Sequence, residues 1–410
     1  MIEKYTVIKF KSGLRAIHRR TVSPVAHLSL TIGAGTRDEL GELHGVAHLV
    51  EHLLFKGTQN HRAYYINSAL DSLGGELNAF TSKEETVLHA TCPKKYAAKG
   101  ASLLLDMAQH SLFAQGDLEK EKEVVIDEIN SYKDSPSDLI FDEFEELLFA
   151  GDSLGRNILG DKRAVKKIKR DDLVCYAKEH YRTDKMIFAM SSSHSDGQFK
   201  ILCEKLFGEL SESDGEFISK RKAPQRVELF DIERNKKLYQ SHILLGGYAP
   251  SVYQEERLTA ALLLNVVGGP SALSRMNMVL REKHALTYNA EGSYCPFSDI
   301  GLFTLYYSCE ESREAKADKL LRGILDEFTQ SEMTQAKLRS AKRQFIGQLL
   351  LSNENNESAT ISIAKSLLLF GECESLGDIT RKIEAITPAQ ILSLAQKLFS
   401  SDNLYKLIYK

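Results

Sequence analysis

The strongest constraint on the fold is an order of elements that occurs twice. Strand patterns at 5–10, 14–19 and 26–32 lead to an amphipathic helix at 45–55, and Lys-Ser-Gly at 11–13 reads as a hairpin turn between the first two. A helix at 64–73, strands at 76–81 and 86–92 and long helices at 94–113, 118–132 and 139–149 come next. A helix at 171–181, a strand at 186–190 and a helix at 199–207 close the half. The stretch 211–225 is rich in Ser, Asp, Gly and Lys and has no periodicity. Beyond it a strand at 241–248, helices at 257–267 and 273–283, and strands at 286–294 and 301–308 repeat the order. Helices at 313–328, 334–351 and 358–370, one after Pro388, and a strand at 404–409 complete it. A chain of 410 residues is too long for one hydrophobic core. The expectation is an α+β protein of two similar domains, each a mostly antiparallel sheet packed with helices, related by internal duplication. Their bounds are 1–212 and 229–410, with 213–228 as linker.

Several function classes are set aside by composition. The formal net charge is −3, with 53 basic against 56 acidic residues, so there is no electrostatic case for nucleic acid or a polybasic membrane surface. No apolar run is long enough to span a bilayer. Residues 1–7 have no apolar signal-peptide core, and the six scattered cysteines form no Cys-x-x-Cys pair. Both point to a cytoplasmic protein with reduced thiols.

Chemistry enters at His48-Leu-Val-Glu51-His52. On a helix of 3.6 residues per turn, His at i and i+4 share a face and can grip one metal ion. Composition alone would produce about 0.05 such matches in a chain of this length. Val46, Leu49, Val50, Leu53 and Leu54 form a stripe about 140° wide. His48, Glu51 and His52 occupy an arc about 100° wide on the opposite side, away from the face the helix buries. A third ligand must come from elsewhere. In the helix at 118–132, Leu118, Val125, Ile129 and Tyr132 make a stripe about 60° wide, and Glu119, Glu123 and Asp127 point away from it. Glu121 and Glu128, seven residues apart, flank its edge, where a carboxylate meets another element instead of bulk water. Either could serve on this ground.

His-x-x-Glu-His is the inverted zinc-peptidase motif. The chain resembles the pitrilysin/insulysin and mitochondrial processing peptidase superfamily, in which a glutamate ligand follows some 75 residues on. Here 75 residues separate His52 from Glu128. The run Glu121-Lys-Glu-Val-Val-Ile-Asp-Glu128 looks like that family's ligand helix, and Gly74-Gly-Glu-Leu-Asn78-Ala-Phe-Thr81 and Leu154-Gly-Arg-Asn-Ile-Leu-Gly160 extend the resemblance.

The resemblance implies one Zn²⁺ per chain held by His48, His52 and Glu128, with Glu51 as the base for a metal-activated water and Glu121 orienting a ligand from behind. It implies that Asn78, Ala79, Phe80 and Thr81 form an edge strand to which a peptide substrate adds through main-chain hydrogen bonds. Arg281 and Tyr288, seven residues apart, resemble the family's C-terminal pair that contacts the substrate carbonyl and oxyanion. Read from the residues alone, these two are an Arg at a helix end and a Tyr on a strand. The corresponding helix of the second half, around 259–265, has no His and cannot bind metal. Full-length relatives close four such domains around a chamber, so a two-domain chain is expected to dimerise. A homodimer is favoured over a heterodimer with a homologous chain. The activity expected is endopeptidase cleavage of oligopeptides or unstructured segments; the alternatives are a non-catalytic subunit of the same fold and a maturation peptidase for one partner peptide.

Overall fold

The computed structural model describes residues 5–41, 43–211 and 221–410. In chain order the elements are β1 (Tyr5–Lys9), β2 (Arg15–Arg20), β3 (Val25–Ile32), α1 (Val46–Leu54), α2 (Ala63–Ser68), β4 (Glu76–Thr81), β5 (Thr86–Pro93), α3 (Ala97–His110) and α4 (Gln115–Lys133). There follow α5 (Pro136–Leu148), α6 (Lys162–Lys167), α7 (Arg170–His180), β6 (Met186–Ser192), α8 (Asp196–Phe207), β7 (Asp231–Arg234), β8 (Ser241–Ala249) and α9 (Arg257–Gly268). The last are β9 (Ala290–Pro296), β10 (Gly301–Cys309), α10 (Glu314–Gln330), α11 (Gln335–Glu354), α12 (Asn356–Phe370), α13 (Leu376–Ala385), α14 (Pro388–Leu398) and β11 (Tyr405–Tyr409).

Two compact units divide the chain. The first comprises the described parts of Met1–Ser131 and Arg156–Ser219, together with Leu351–Gly377. Its six-stranded sheet runs β1-β2-β6-β3-β5-β4, antiparallel except where β2 meets β6. The β1–β2 turn is the one the Lys-Ser-Gly signal marks, with Gly13 at φ +83 and Phe10 and Leu14 closing it. Side chains alternate across the sheet. Leu28, Leu30 and Phe188 join Leu49, Leu53 and Leu104 in the main core, whereas Ile17, Ile187 and Ala189 face the opposite way onto Ile363, Leu367 and Leu368 of α12.

The second unit holds the described part of Lys220–Leu350, Asp378–Lys410 and Tyr132–Gly155. Its sheet runs β7-β11-β8-β10-β9, and β7–β11 is again the one parallel pair. Position by position, β2-β6-β3-β5-β4 corresponds to β7-β11-β8-β10-β9. The repeated order is therefore a repeated topology. Both sheets are mixed, packed with helices on their faces.

Each unit takes a helix from the other half of the sequence. The Phe144 ring of α5 meets Phe230 edge-on at 5.6 Å, and the Tyr248 hydroxyl donates to the Leu148 carbonyl at 2.8 Å within the second unit. In the first, Arg15 Nη1 donates to the Leu367 carbonyl of α12 at 3.0 Å, and Thr360 Oγ1 to Ser191 Oγ at 2.7 Å. Of the expected linker 213–228, residues 213–220 lie outside the described residues, and 221–228 follow an irregular path.

Local departures from the sequence reading have local causes. The helix expected at 273–283 starts at Arg275 and runs as a π-helical segment over Asn277–Lys283; ahead of it Ser271 Oγ accepts the Leu273 N–H, and the Asn277 side-chain amide donates to the Ser271 carbonyl and to Ser274 Oγ. The strand expected at 286–294 begins only at Ala290: Ala285 has φ +47, and Thr287 Oγ1 binds both the N–H and the carbonyl of Asn289. Tyr288 thus sits in a turn and not on a strand. The helix expected at 45–55 spans Val46–Leu54, and Gly57 beyond it, at φ +127, bridges to Arg62.

Candidate metal centre and its surroundings

Helix α1 has no solvent face. Val46 to Val50 are buried throughout, His48 included at 7% exposure, and only Glu51 and His52 are half-buried. The arc opposite the aliphatic stripe is covered because Glu51 meets Thr81 of β4 and the two histidines meet acids of α4. A histidine needs a polar partner there, and α4 supplies it. The Nε2 atoms of His48 and His52 lie 3.9 and 3.7 Å from one oxygen, Glu128 Oε2. One ligand atom from each residue falls within 4.8 Å of the others. Tetrahedral zinc with bonds of about 2.1 Å would separate its ligand atoms by about 3.4 Å, so small side-chain adjustments would close the set.

Protonation favours ligation. Burial, followed by the neighbouring His52, pushes the His48 imidazole down to about 3, which keeps it neutral and free to donate a lone pair. The Nδ1 of His52 faces Glu121 Oε2 at 3.1 Å, and the other Glu121 oxygen receives Lys56 Nζ at 2.7 Å. Glu121 is 7% exposed in the buried stripe of α4, a position an acid tolerates because both oxygens have cationic or N–H partners. Geometry thus separates the two acids that the helical pattern left equivalent. Glu128 reaches both Nε2 atoms, and Glu121 braces His52 from behind. The role of Lys56 carried no signal in the spacing of the motif.

Glu51 lies between the two histidines. Burial raises its pKa; the His52 charge and the Thr81 hydroxyl, which donates to Glu51 Oε2 at 3.3 Å, pull the other way. Thr81 ends β4, the edge strand of its sheet. Along β4 the side chains of Leu77, Ala79 and Thr81 turn inward, while Glu76, Asn78 and Phe80 are exposed. The free main-chain edge of 78–81 is therefore joined to the Glu51 carboxylate through one side chain.

These elements match known proteins along almost the whole chain. Residues 15–162 fit the model described as insulinase (peptidase family M16), and residues 167–345 fit that of the peptidase M16 inactive domain. An uncharacterized zinc protease of Bacillus subtilis is 32% identical over 410 residues, spanning 100% of this chain and 98% of the relative. The chain belongs to the M16 peptidase family. A second relative, an uncharacterized zinc protease of Streptomyces coelicolor, is 30% identical across 95% of this M16 chain and 89% of its own. A protease from Helicobacter pylori has the same fold, with TM-score 0.93 at 17% identity and complete coverage of both chains. A peptidase M16 inactive domain from Pseudomonas fluorescens superposes with TM-score 0.89 at 18% identity, covering 99% of this chain and 98% of its own.

The other two M16 residues singled out by the sequence belong to the second unit. Arg281 is in the π-helical segment, with Nε 2.9 Å from Glu282, and Tyr288 is 86% exposed. Among the described residues no helix is long and apolar enough to cross a membrane.

Proposed function

We propose that this protein is a zinc-dependent endopeptidase that cleaves oligopeptides or unstructured polypeptide segments. The observation that carries the reading is the convergence of His48 Nε2, His52 Nε2 and Glu128 Oε2 beside the Glu51 carboxylate. That donor set, two neutral imidazoles and one carboxylate, suits zinc with an open fourth position. The zinc protease names of its relatives agree with it. When bound, zinc supplies a Lewis acid and lowers the pKa of a coordinated water towards about 7.

The chain's own residues do the rest. Glu51 takes the proton of the attacking water and returns it to the leaving amine. Thr81 fixes the carboxylate by hydrogen bonding, and Glu121 holds the His52 ring. The peptide pairs with β4 at 78–81, so main-chain hydrogen bonds supply affinity and sequence tolerance is broad. Arg281 and Tyr288 contact the substrate carbonyl as charge develops on its oxygen. In this reading they come from the partner of a homodimer, each site joining the metal centre of one chain to the second unit of the other. The 86% exposure of Tyr288, an amphipathic ring with no packing of its own, is consistent with such a role.

The test is purified zinc-loaded protein against a quenched peptide library, with and without a chelator, beside Glu51→Gln. Chelation should abolish cleavage, and Glu51→Gln should lower turnover by about 10²- to 10⁴-fold with zinc content unchanged. Equal cleavage by Glu51→Gln would remove the assigned base. Mixing Glu51→Gln with Tyr288→Phe chains should restore about a quarter of the sites under random pairing. No recovery would rule out a shared site.

A further inference from the structure

Helix α1 begins at a residue that cannot cap it. Gly45 adopts φ +97, has no side chain, and would bring any Cβ to 2.9 Å from the Leu159 carbonyl oxygen. Yet the first turn of α1 carries His48, and its N–H groups are buried and need acceptors. One acid outside the helix accepts two N–H groups at its start, those of Gly45 and Ala47. Glu39 Oε1 accepts from the Gly45 N–H at 3.1 Å and the Ala47 N–H at 2.8 Å, and Oε2 accepts from Gly45 at 3.1 Å.

Glu39 is itself anchored. Its carbonyl accepts from Arg156 Nη1 at 3.1 Å, and the Arg156 carbonyl accepts from Lys83 Nζ at 2.6 Å. Lys83 lies in the turn joining β4 to β5. From the same turn the Ser82 and Lys83 carbonyls accept the N–H groups of Thr36 and Arg37 at 3.1 and 2.8 Å. The start of α1 is thereby tied to the hairpin whose Thr81 holds Glu51. A buried acid is costly: burial pushes the Glu39 carboxyl up to about 7, although the Ala47 and Gly45 N–H groups pull it back. Its 5% exposure places it where only specific partners justify a carboxylate.

We propose that Glu39 is a positioning residue of the metal centre, setting the axial placement of α1 and so the approach of His48 and His52 to Glu128. This rests on the metal-site reading above. Three readouts test it on full-length protein: zinc affinity by competition with a chromogenic chelator, thermal stability of the metal-free chain, and amide hydrogen exchange across 45–52 without metal. Glu39→Met, which keeps the bulk and removes both acceptors, should weaken zinc binding about tenfold and speed exchange in that segment. Glu39→Gln, whose one carbonyl oxygen can serve both N–H groups, should stay within about threefold of wild type.

A purely structural role would lower the melting temperature of Glu39→Met and leave its zinc affinity at the wild-type value, which would overturn the proposal. Loss in Glu39→Gln as large as in Glu39→Met would also overturn it. Should Glu39→Met not fold, Glu39→Asp, one methylene too short to reach both donors, is expected to bind zinc several-fold more weakly; wild-type affinity there is equally refuting. Wild-type protein that binds no zinc would overturn the metal-site reading and this proposal with it. That outcome differs from normal zinc binding by every variant, which overturns the role of Glu39 alone.

Discussion

Gly160 and Gly74 make a matched pair for testing how tightly the first turn of α1 is held. Both have φ +74, so alanine at either adopts the left-handed conformation at about 1–2 kcal/mol. Reduced freedom of the unfolded chain returns about 0.4–1 kcal/mol in both cases. The two differ only in their surroundings. A Cβ on Gly74 meets nothing within 4 Å, whereas one on Gly160 would lie 2.4 Å from the His44 carbonyl oxygen and 2.7 Å from Gly45 Cα. These are backbone atoms and cannot swing aside, so relief requires moving the chain that enters α1, an overpacking cost of about 1–3 kcal/mol. Gly74→Ala should therefore cost about 1 kcal/mol, and Gly160→Ala about 2–4 kcal/mol. Denaturant titration of the metal-free proteins measures the difference, and zinc titration should show weaker binding in Gly160→Ala alone. Equal stability losses would refute the close approach of Gly160 to the chain that enters α1. A large loss with unaltered zinc binding would refute its link to the metal residues.

Replacing Glu121 by Gln removes the charge that holds His52 Nδ1 and Lys56, and zinc affinity by chelator competition should fall about 10- to 100-fold; no change would mean that Glu121 does not orient the ligand. His18 is 1% exposed, stacks on Phe199 at 4.8 Å, and is pushed by burial to about 4. Above pH 6.5 the ring is neutral folded or unfolded. Below it the unfolded chain takes a proton that the native ring refuses until about pH 4, so stability is lost as pH falls through that window, by at most roughly 3 kcal/mol. His18→Gln should flatten the fall in denaturant midpoint between pH 7 and pH 5, and an unchanged slope would discount the residue. Phe144→Ala should cost about 3–5 kcal/mol in the second unit, because its fully buried ring fills the space between α5 and the sheet; a loss under 1 kcal/mol would contradict that packing.

Much of the fold was legible because hydrophobic periodicity is a local property. Most strands of both sheets and the long helices follow their patterns closely, β7 with its short, mostly charged Asp-Ile-Glu-Arg excepted, and the repeat of order anticipated a repeat of topology. What failed was equally local in cause: the turn built on Thr287 displaced the start of the strand expected at 286–294. The reciprocal placement of α5 and α12 was not legible. An amphipathic helix records which of its faces is buried and carries no record of which sheet will bury it.

The motif that opened the chemical question is a case in both directions. Sequence by itself determined that His48, Glu51 and His52 share one side of a short helix, because that follows from 3.6 residues per turn. It also narrowed the third acid to Glu121 or Glu128, with family spacing favouring the second. Only tertiary structure could place Glu128 Oε2 before both Nε2 atoms and Glu121 behind His52, since those distances depend on the rotation of α4 against α1. It alone disclosed that His48 is buried, and that Glu39, nine residues before His48 and outside every helical pattern, accepts the N–H groups of Gly45 and Ala47 at the start of the helix. Periodicity describes a residue relative to its own element; contacts between elements are made by the packing of the whole unit.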